Sequence, residues 1–219
     1  MAISIGNSDE RRYPVDWDDV AQGECLVVIE PRDEVKVGRL IKMLGDAAVE
    51  NPGDDKNMRK FLAIEDPRTI PYLRQLVEKK GSSSRSYALQ GLAKFDSDEA
   101  LAGIEVCLTT TAAEMRPYAT TDEIAQQSAY SIHHAAAVAL RDSPHPRAQE
   151  KLLSLHGHPY RGVRITVLHR LGKLDTQQSL RLLEKMCKDE NEMVRNEAIR
   201  YLKARQSQTQ SDSPANLDE

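Results

Sequence analysis

Six histidines, His133, His134, His145, His156, His158 and His169, fall within 37 residues of a 219-residue chain. Imidazole binds transition metals and titrates near neutrality, so such a run invites a metal or acid-base reading. A zinc or iron site needs three or four ligands converging at bonds of about 2 Å. The spacing does not supply them. His133 and His134 are adjacent and would face different directions on a helix, while His156 and His158 flank Gly157 just before Pro159. Cys25, Cys107 and Cys187 stand at no ligand spacing, and neither Asp54-Asp55 nor Asp16, Asp18 and Asp19 have the spacing of a calcium loop. The histidines are expected to be hydrogen-bonding side chains, with no metal and no other cofactor.

Covalent catalysis has no support in the residues either. A Gly-x-Ser-x-Gly elbow is absent, no cysteine is placed with an evident histidine base, and the eleven glycines are scattered as helix stops. Charge is more informative. Residues 1–132 carry 16 basic and 23 acidic side chains, residues 133–205 carry 14 and 8, and the tail adds three acids, giving the net −4. A mildly basic half suits an acidic partner and falls short of the excess carried by a dedicated nucleic-acid binder. No apolar run approaches the ~18 residues needed to span a bilayer. The first residues lack the charged start and apolar run of a secretory signal, and an odd number of cysteines suits reduced thiols, so a cytoplasmic setting is expected. Nothing in the sequence speaks to oligomeric state.

The elements that must position these side chains form a repeat. Val163-Arg164 is followed by Val167, Leu168 and Leu171; thirty-one residues on, Val194-Arg195 is followed by Ala198, Ile199 and Leu202. A self-similar period of this size marks stacked helix pairs, none able to bury its apolar face alone. Helical spacing predicts helices over 33–50, 56–65, 67–80, 98–108, 146–156, 161–174, 176–188 and 192–204, with further helices starting near Ser82 and around His133. Ala136, Ala137 and Leu140 precede Val167, Leu168 and Leu171 by the same thirty-one residues, but Arg85 precedes His133 by 48. About 17 residues are therefore inserted near 110–126, as a loop or a lengthened helix.

Residues 1–32 show no helical period and read as a partly extended N-terminal arm, with Trp17 as the side chain that could dock. Residues 33–205 read as one repeat domain. Residues 206–219 are polar and aperiodic and are expected to be a disordered tail.

Asp-Pro-Arg-Thr-Ile-Pro-Tyr-Leu at 66–73, Val-Arg at 163 and 194, and Leu-Gly-Lys-Leu at 171–174 resemble HEAT-like repeats of the short class first associated with phycobilisome lyases. The resemblance implies an all-α fold, a right-handed α-α superhelix of about five helix pairs whose second helices line a concave face. It also implies that Arg164 and Arg195 are structural and engage a neighbouring acidic residue. Enzymes exist on this architecture. The di-iron hydroxylase uses His-Glu dipeptides, absent here, and the alkylpurine glycosylases use a basic groove with aromatics, whereas this chain has one Trp, outside the repeats. A bilin lyase fits the fold without a chromophore-specific residue.

The register then gives the surface a partner would meet. If positions 163, 167, 168 and 171 pack inward, His134 and Val138, then Ile165, Thr166, His169, Arg170 and Lys173, then Asn196, Glu197, Arg200 and Tyr201 face out. The expected function is a non-enzymatic scaffold or adaptor that binds a protein or peptide through His134, His169, Arg170, Lys173, Arg200 and Tyr201. The alternative is an enzyme or enzyme subunit, bilin-lyase-like or nucleic-acid-processing.

Overall fold

The structure, a computed structural model, describes residues 2–4, 26–28, 34–80 and 84–211. Two three-residue strands, β1 (Ala2–Ser4) and β2 (Leu26–Val28), pair in parallel with Ala2 opposite Leu26. Asp16, Trp17, Asp18, Asp19, Cys25 and Asp33 lie outside the described residues. Everything else that is regular is helix, and the chain divides into two compact units, Met1–His145 and Pro146–Glu219. That division falls inside the single repeat domain expected at 33–205.

In the first unit, α1 (Glu34–Glu50) buries Val37, Ile41, Leu44 and Ala48, the four-three-four spacing of one helical face. Asp54 ends the following turn and caps α2 (Asp55–Leu62) by accepting the Lys56 and Asn57 amides at 3.1 Å each. Phe61 of α2 meets Tyr72 edge-on, with ring centroids 6.0 Å apart. Asp66 caps a 3-10 turn, Pro67–Thr69, which runs into α3 (Ile70–Glu78). α4 (Ser84–Leu92) packs back on α3, and Ser97 caps α5 (Asp98–Leu108).

The inserted residues are helical. Thr111 and Glu114 form a reciprocal cap on α6 (Ala112–Met115), a 3-10 turn (Arg116–Tyr118) follows, and Thr121 caps α7 (Asp122–Asp142). The insertion therefore adds a short helix and lengthens the next one at its start. Met115, Ala125 and Ala129 bury its inner side, and an ion pair from Lys80 to Glu114 at 2.8 Å ties it to the preceding helix pair. At the end of α7, His145 Nε2 lies 3.0 Å from Asp98 Oδ1, fastening the last residues of this unit to the start of α5.

The second unit holds α8 (Ala148–Ser154), α9 (Arg161–Leu171), α10 (Gln177–Met186) and α11 (Glu192–Ser211). With α1/α2, α3/α4 and α5/α7, these make five helix pairs among the described residues. The expected tail boundary at 206 is wrong, because α11 continues to Ser211. The stretch Gln206 to Ser211 contains neither Gly nor Pro, and glutamine is a good helix former, so nothing stops the helix there. Residues 212–219 lie outside the described residues. No described helix is long and apolar enough to cross a membrane.

The register holds in the core. Ala88, Ala136, Val167 and Ala198 are all fully buried, as are Leu92, Leu140 and Leu171, whereas Leu202 and Ile199 are half-buried, with no further pair among the described residues to cover them. Leu171→Ala is expected to cost about 2–5 kcal/mol by cavity formation, and Leu202→Ala roughly half as much because less of its surface is removed from water. Urea denaturation of both variants checks the order; equal losses would contradict the register.

Candidate functional site

A buried arginine fixes where α9 begins. Arg164 of α9 is 4% exposed at its side chain; its Nη1 donates to the carbonyls of His158 at 2.7 Å and Pro159 at 3.0 Å, and its Nη2 donates to Asp189 Oδ1 at 2.9 Å. Arg195 of α11 repeats the backward reach, donating to the Asp189 and Glu190 carbonyls at 2.7 and 3.0 Å. Asp189 is thus held twice, through its carboxylate by one arginine and through its carbonyl by the next.

The first unit has the same device with different chemistry. Arg85 Nη2 donates to Thr110 Oγ1 at 3.0 Å, 25 residues ahead, the separation of Arg164 from Asp189. Thr110 is also held through its carbonyl, by His133 Nε2 at 2.8 Å. His133 lies 23 residues beyond Thr110, whereas Arg195 lies 6 beyond Asp189, and the 17-residue difference is the insertion. A histidine stands here in the place of an arginine. Burial, then the charge of Arg85, pushes the His133 imidazole below its usual range, with the bond to Thr110 opposing.

With the helices so placed, the solvent side of α9 and α11 carries the candidate contact residues. Arg170 is half-buried, its Nε and Nη2 donating to Gln149 Oε1 at 3.1 and 2.6 Å. Glu197 pairs with Arg200 and lies 4.0 Å from His169 Nε2. The Arg200 guanidinium sits 5.2 Å from the centre of the Tyr201 ring. Tyr201 in turn lies flat against Gly172, where any Cβ would run into the ring. Lys173 is exposed. Glu197 and the Tyr201 ring thus bring His169, Arg200 and Tyr201 together, whereas Arg170 turns to Gln149 of α8 and Lys173 stands in the turn after α9. His134 belongs to α7 of the first unit, half-buried, its imidazole pushed down by burial and then by Arg141. Thr166, expected to face out, is instead 2% exposed, because its hydroxyl donates to the Gly162 carbonyl at 3.0 Å and turns the side chain onto its own helix.

The first unit has a counterpart that the register did not reach. A groove of about 580 Å³ runs between α4 and α7, lined among others by Ser86 and Gln90 of α4, Lys94 of the turn after it, and Ala135, Val138 and Asp142 of α7. Adding the 48-residue offset to Ser86, Gln90 and Lys94 gives His134, Val138 and Asp142, and adding 31 more gives Ile165, His169 and Lys173. The groove residues thus hold, within the first unit, the register positions that Ile165, His169 and Lys173 hold within the second. Lys94 is engaged at the rim, donating to Glu65 Oε1 at 3.1 Å and to the Leu62 carbonyl at 3.0 Å.

The remaining histidines have individual tasks. His156 Nδ1 donates to the Leu153 carbonyl at 3.2 Å while its Nε2 accepts from Lys185 at 2.8 Å, and His158 Nδ1 accepts the Tyr160 amide at 3.0 Å. Among the described residues, no group of three or more His, Cys, Asp or Glu is placed to hold a metal ion. The Cys107 thiol is buried and raised by that burial, with Arg85 opposing.

Stability is expected to fall as the pH drops below 6.5. His133 and His134 take up a proton less readily folded than unfolded, so below the ordinary value of 6.5 the unfolded chain binds more protons and gains. The loss begins near 6.5 and continues down to the folded values. His133→Gln, which keeps a donor for Thr110, should flatten the dependence of melting temperature on pH between about 5 and 6.5, leaving the share due to His134. An unchanged slope would contradict the assignment.

Residues 119–203 match the family model for HEAT repeats. That span begins inside the insertion, ends inside α11 and supports a HEAT-like repeat protein. No curated protein matches the chain.

Proposed function

We propose that this HEAT-like chain is a non-enzymatic module that binds another protein through the solvent side of its second helices, in a cytoplasmic setting. The contact residues are His169, Arg170, Lys173, Arg200 and Tyr201 in the second unit and His134 in the first. The observation that carries the reading is that the cations on this face are held in place before any partner arrives. Arg170 is fixed by Gln149, and Arg200 by Glu197 and the Tyr201 ring. Side chains already ordered lose less rotamer freedom on binding, and arginine and tyrosine are the residue types that dominate interface energetics. HEAT repeats commonly serve as interaction scaffolds, which agrees with this geometry. The short repeat class resembled by Leu171 to Leu174 belongs to the same reading, as a source of architecture and of no chromophore chemistry.

The test is selection of peptides from a displayed random library on the full chain, followed by titration of the selected peptides against wild type and the double variant Arg170→Glu, Arg200→Glu. Both proteins should show the same helical circular dichroism. The double variant should bind the selected peptides at least about tenfold more weakly. Equal binding would place the contact elsewhere.

A further inference from the structure

Thr110 stands where the chain leaves α5 for the insertion, and two side chains close on it. Arg85 of α4 donates Nη2 to its hydroxyl at 3.0 Å, and His133 of α7 donates Nε2 to its carbonyl at 2.8 Å. All three residues are buried. A neutral imidazole already supplies the one donor that the carbonyl uses. A second proton would make the ring a cation away from water and close to the Arg85 guanidinium, since both side chains end on the same residue. Desolvation and like charge oppose that proton together.

The other ionisable groups on α7 and on the elements packed against it leave that repulsion standing. Cys107 of α5 lies 3.7 Å from Arg85 Nη2, and burial raises its thiol, so it is neutral in acid. Glu105 of α5 is half-buried, Glu114 of α6 pairs with Lys80 at 2.8 Å, and Arg116 of the 3-10 turn pairs with Asp122 at 2.6 Å. On α7 itself, Glu123 belongs to the first turn, the Tyr130 ring lies 6.2 Å from that of His133, and Arg141, whose charge acts on His134, pairs with Asp142 at the other end. The charge that bears on His133 is that of Arg85.

The segment that His133 fastens is lightly held otherwise. Between Thr110 and His133, the buried apolar side chains are Met115, Ala125, Ala129 and Ile132, and the two alanines remove little surface from water. The Lys80–Glu114 pair is solvent-exposed and of the kind worth little. The caps at Thr111 and Thr121 hold the insertion within itself and do not tie it to α4 or α5. A stretch with few buried contacts is the first to open. We propose that α6, the 3-10 turn and the first turns of α7 form a segment that acid releases: proton uptake by His133 favours the state in which its ring has left Thr110 for water, and residues 111–132 open while α4 and α5 stay folded. The sign follows from the burial of the ring. His133 in place is pushed below the ordinary 6.5, so the closed state is fully favoured above 6.5 and loses that advantage as the pH falls towards the folded value.

Amide hydrogen exchange of the full chain between about pH 5 and 8, read by mass spectrometry and corrected for the intrinsic rate at each pH, tests the proposal. At about pH 6, protection of residues 113–131 should be at least about tenfold lower than that of α4, because the insertion opens by itself. Below 6.5 it should fall by a factor approaching about ten per pH unit. His133→Gln, which keeps a donor for Thr110 and takes up no proton, should remove that fall, and His134→Gln should leave it in place. Coincident protection of the insertion and α4, which would mean one shared opening, or protection of the insertion that does not change with pH, would overturn the proposal. Both comparisons are made on the wild type and stand whether or not the variant folds. A fall that persists in His133→Gln would overturn it as well.

Discussion

Burying a guanidinium is costly unless most of its N–H groups find partners, and the bonds that Arg164 makes answer that constraint. Its Nη1 binds two consecutive carbonyls in the turn before α9, and its Nη2 binds the carboxylate that precedes α11. One side chain thus sets the entry of its own helix and the position of the next pair. Breaking such a buried pair leaves an uncompensated charge and is strongly destabilising, whereas the apolar contacts around it tolerate gradual change. Arg195 repeats the backward half of the arrangement, and Arg85 with Thr110 and His133 gives a less charged version of it. Because these anchors are spent on the inside of the second helices, the opposite side is left for contact with other molecules.

The part of this that could be read in the sequence is the part that depends on periodicity. Val167, Leu168 and Leu171 recur at fixed spacing because every helix pair must bury the same face, so the helices and their inner sides follow from the pattern. The structural role of Arg164 and its acidic neighbour was implied instead by the resemblance to HEAT-like repeats. Features set by a single local bond were not. Thr166 turned inward through a hydroxyl bond to Gly162, and no spacing argument distinguishes that from an exposed threonine. The insertion was legible in length, since 48 exceeds 31 by 17, yet its division into a capped short helix and a lengthened α7 depends on Thr111, Glu114 and Thr121 acting as caps. The row Ser86, Gln90 and Lys94 was missed although the 48-residue offset points straight at it.

The histidine run shows how composition misleads without geometry. Residues that would make a metal site if they converged are separated by the helix directions, and each of His133, His145, His156 and His158 holds a loop or a helix end through a hydrogen bond. His133 differs from its neighbours in kind, since it occupies a position where later repeats use an arginine that cannot lose its charge. Acid therefore acts on the stretch around the insertion through His133, while the cations proposed for contact lie on the second unit.

The central claim is that a buried arginine locks one helix pair to the next. A double-mutant cycle on Arg164→Gln and Asp189→Asn, measured by urea denaturation, tests it most directly. The two losses should be non-additive, with a coupling of at least about 2 kcal/mol, because removing either partner already leaves the other buried and unmatched. Losses that simply add, within about 0.5 kcal/mol, would mean that the two residues stabilise the fold independently and that the lock does not exist.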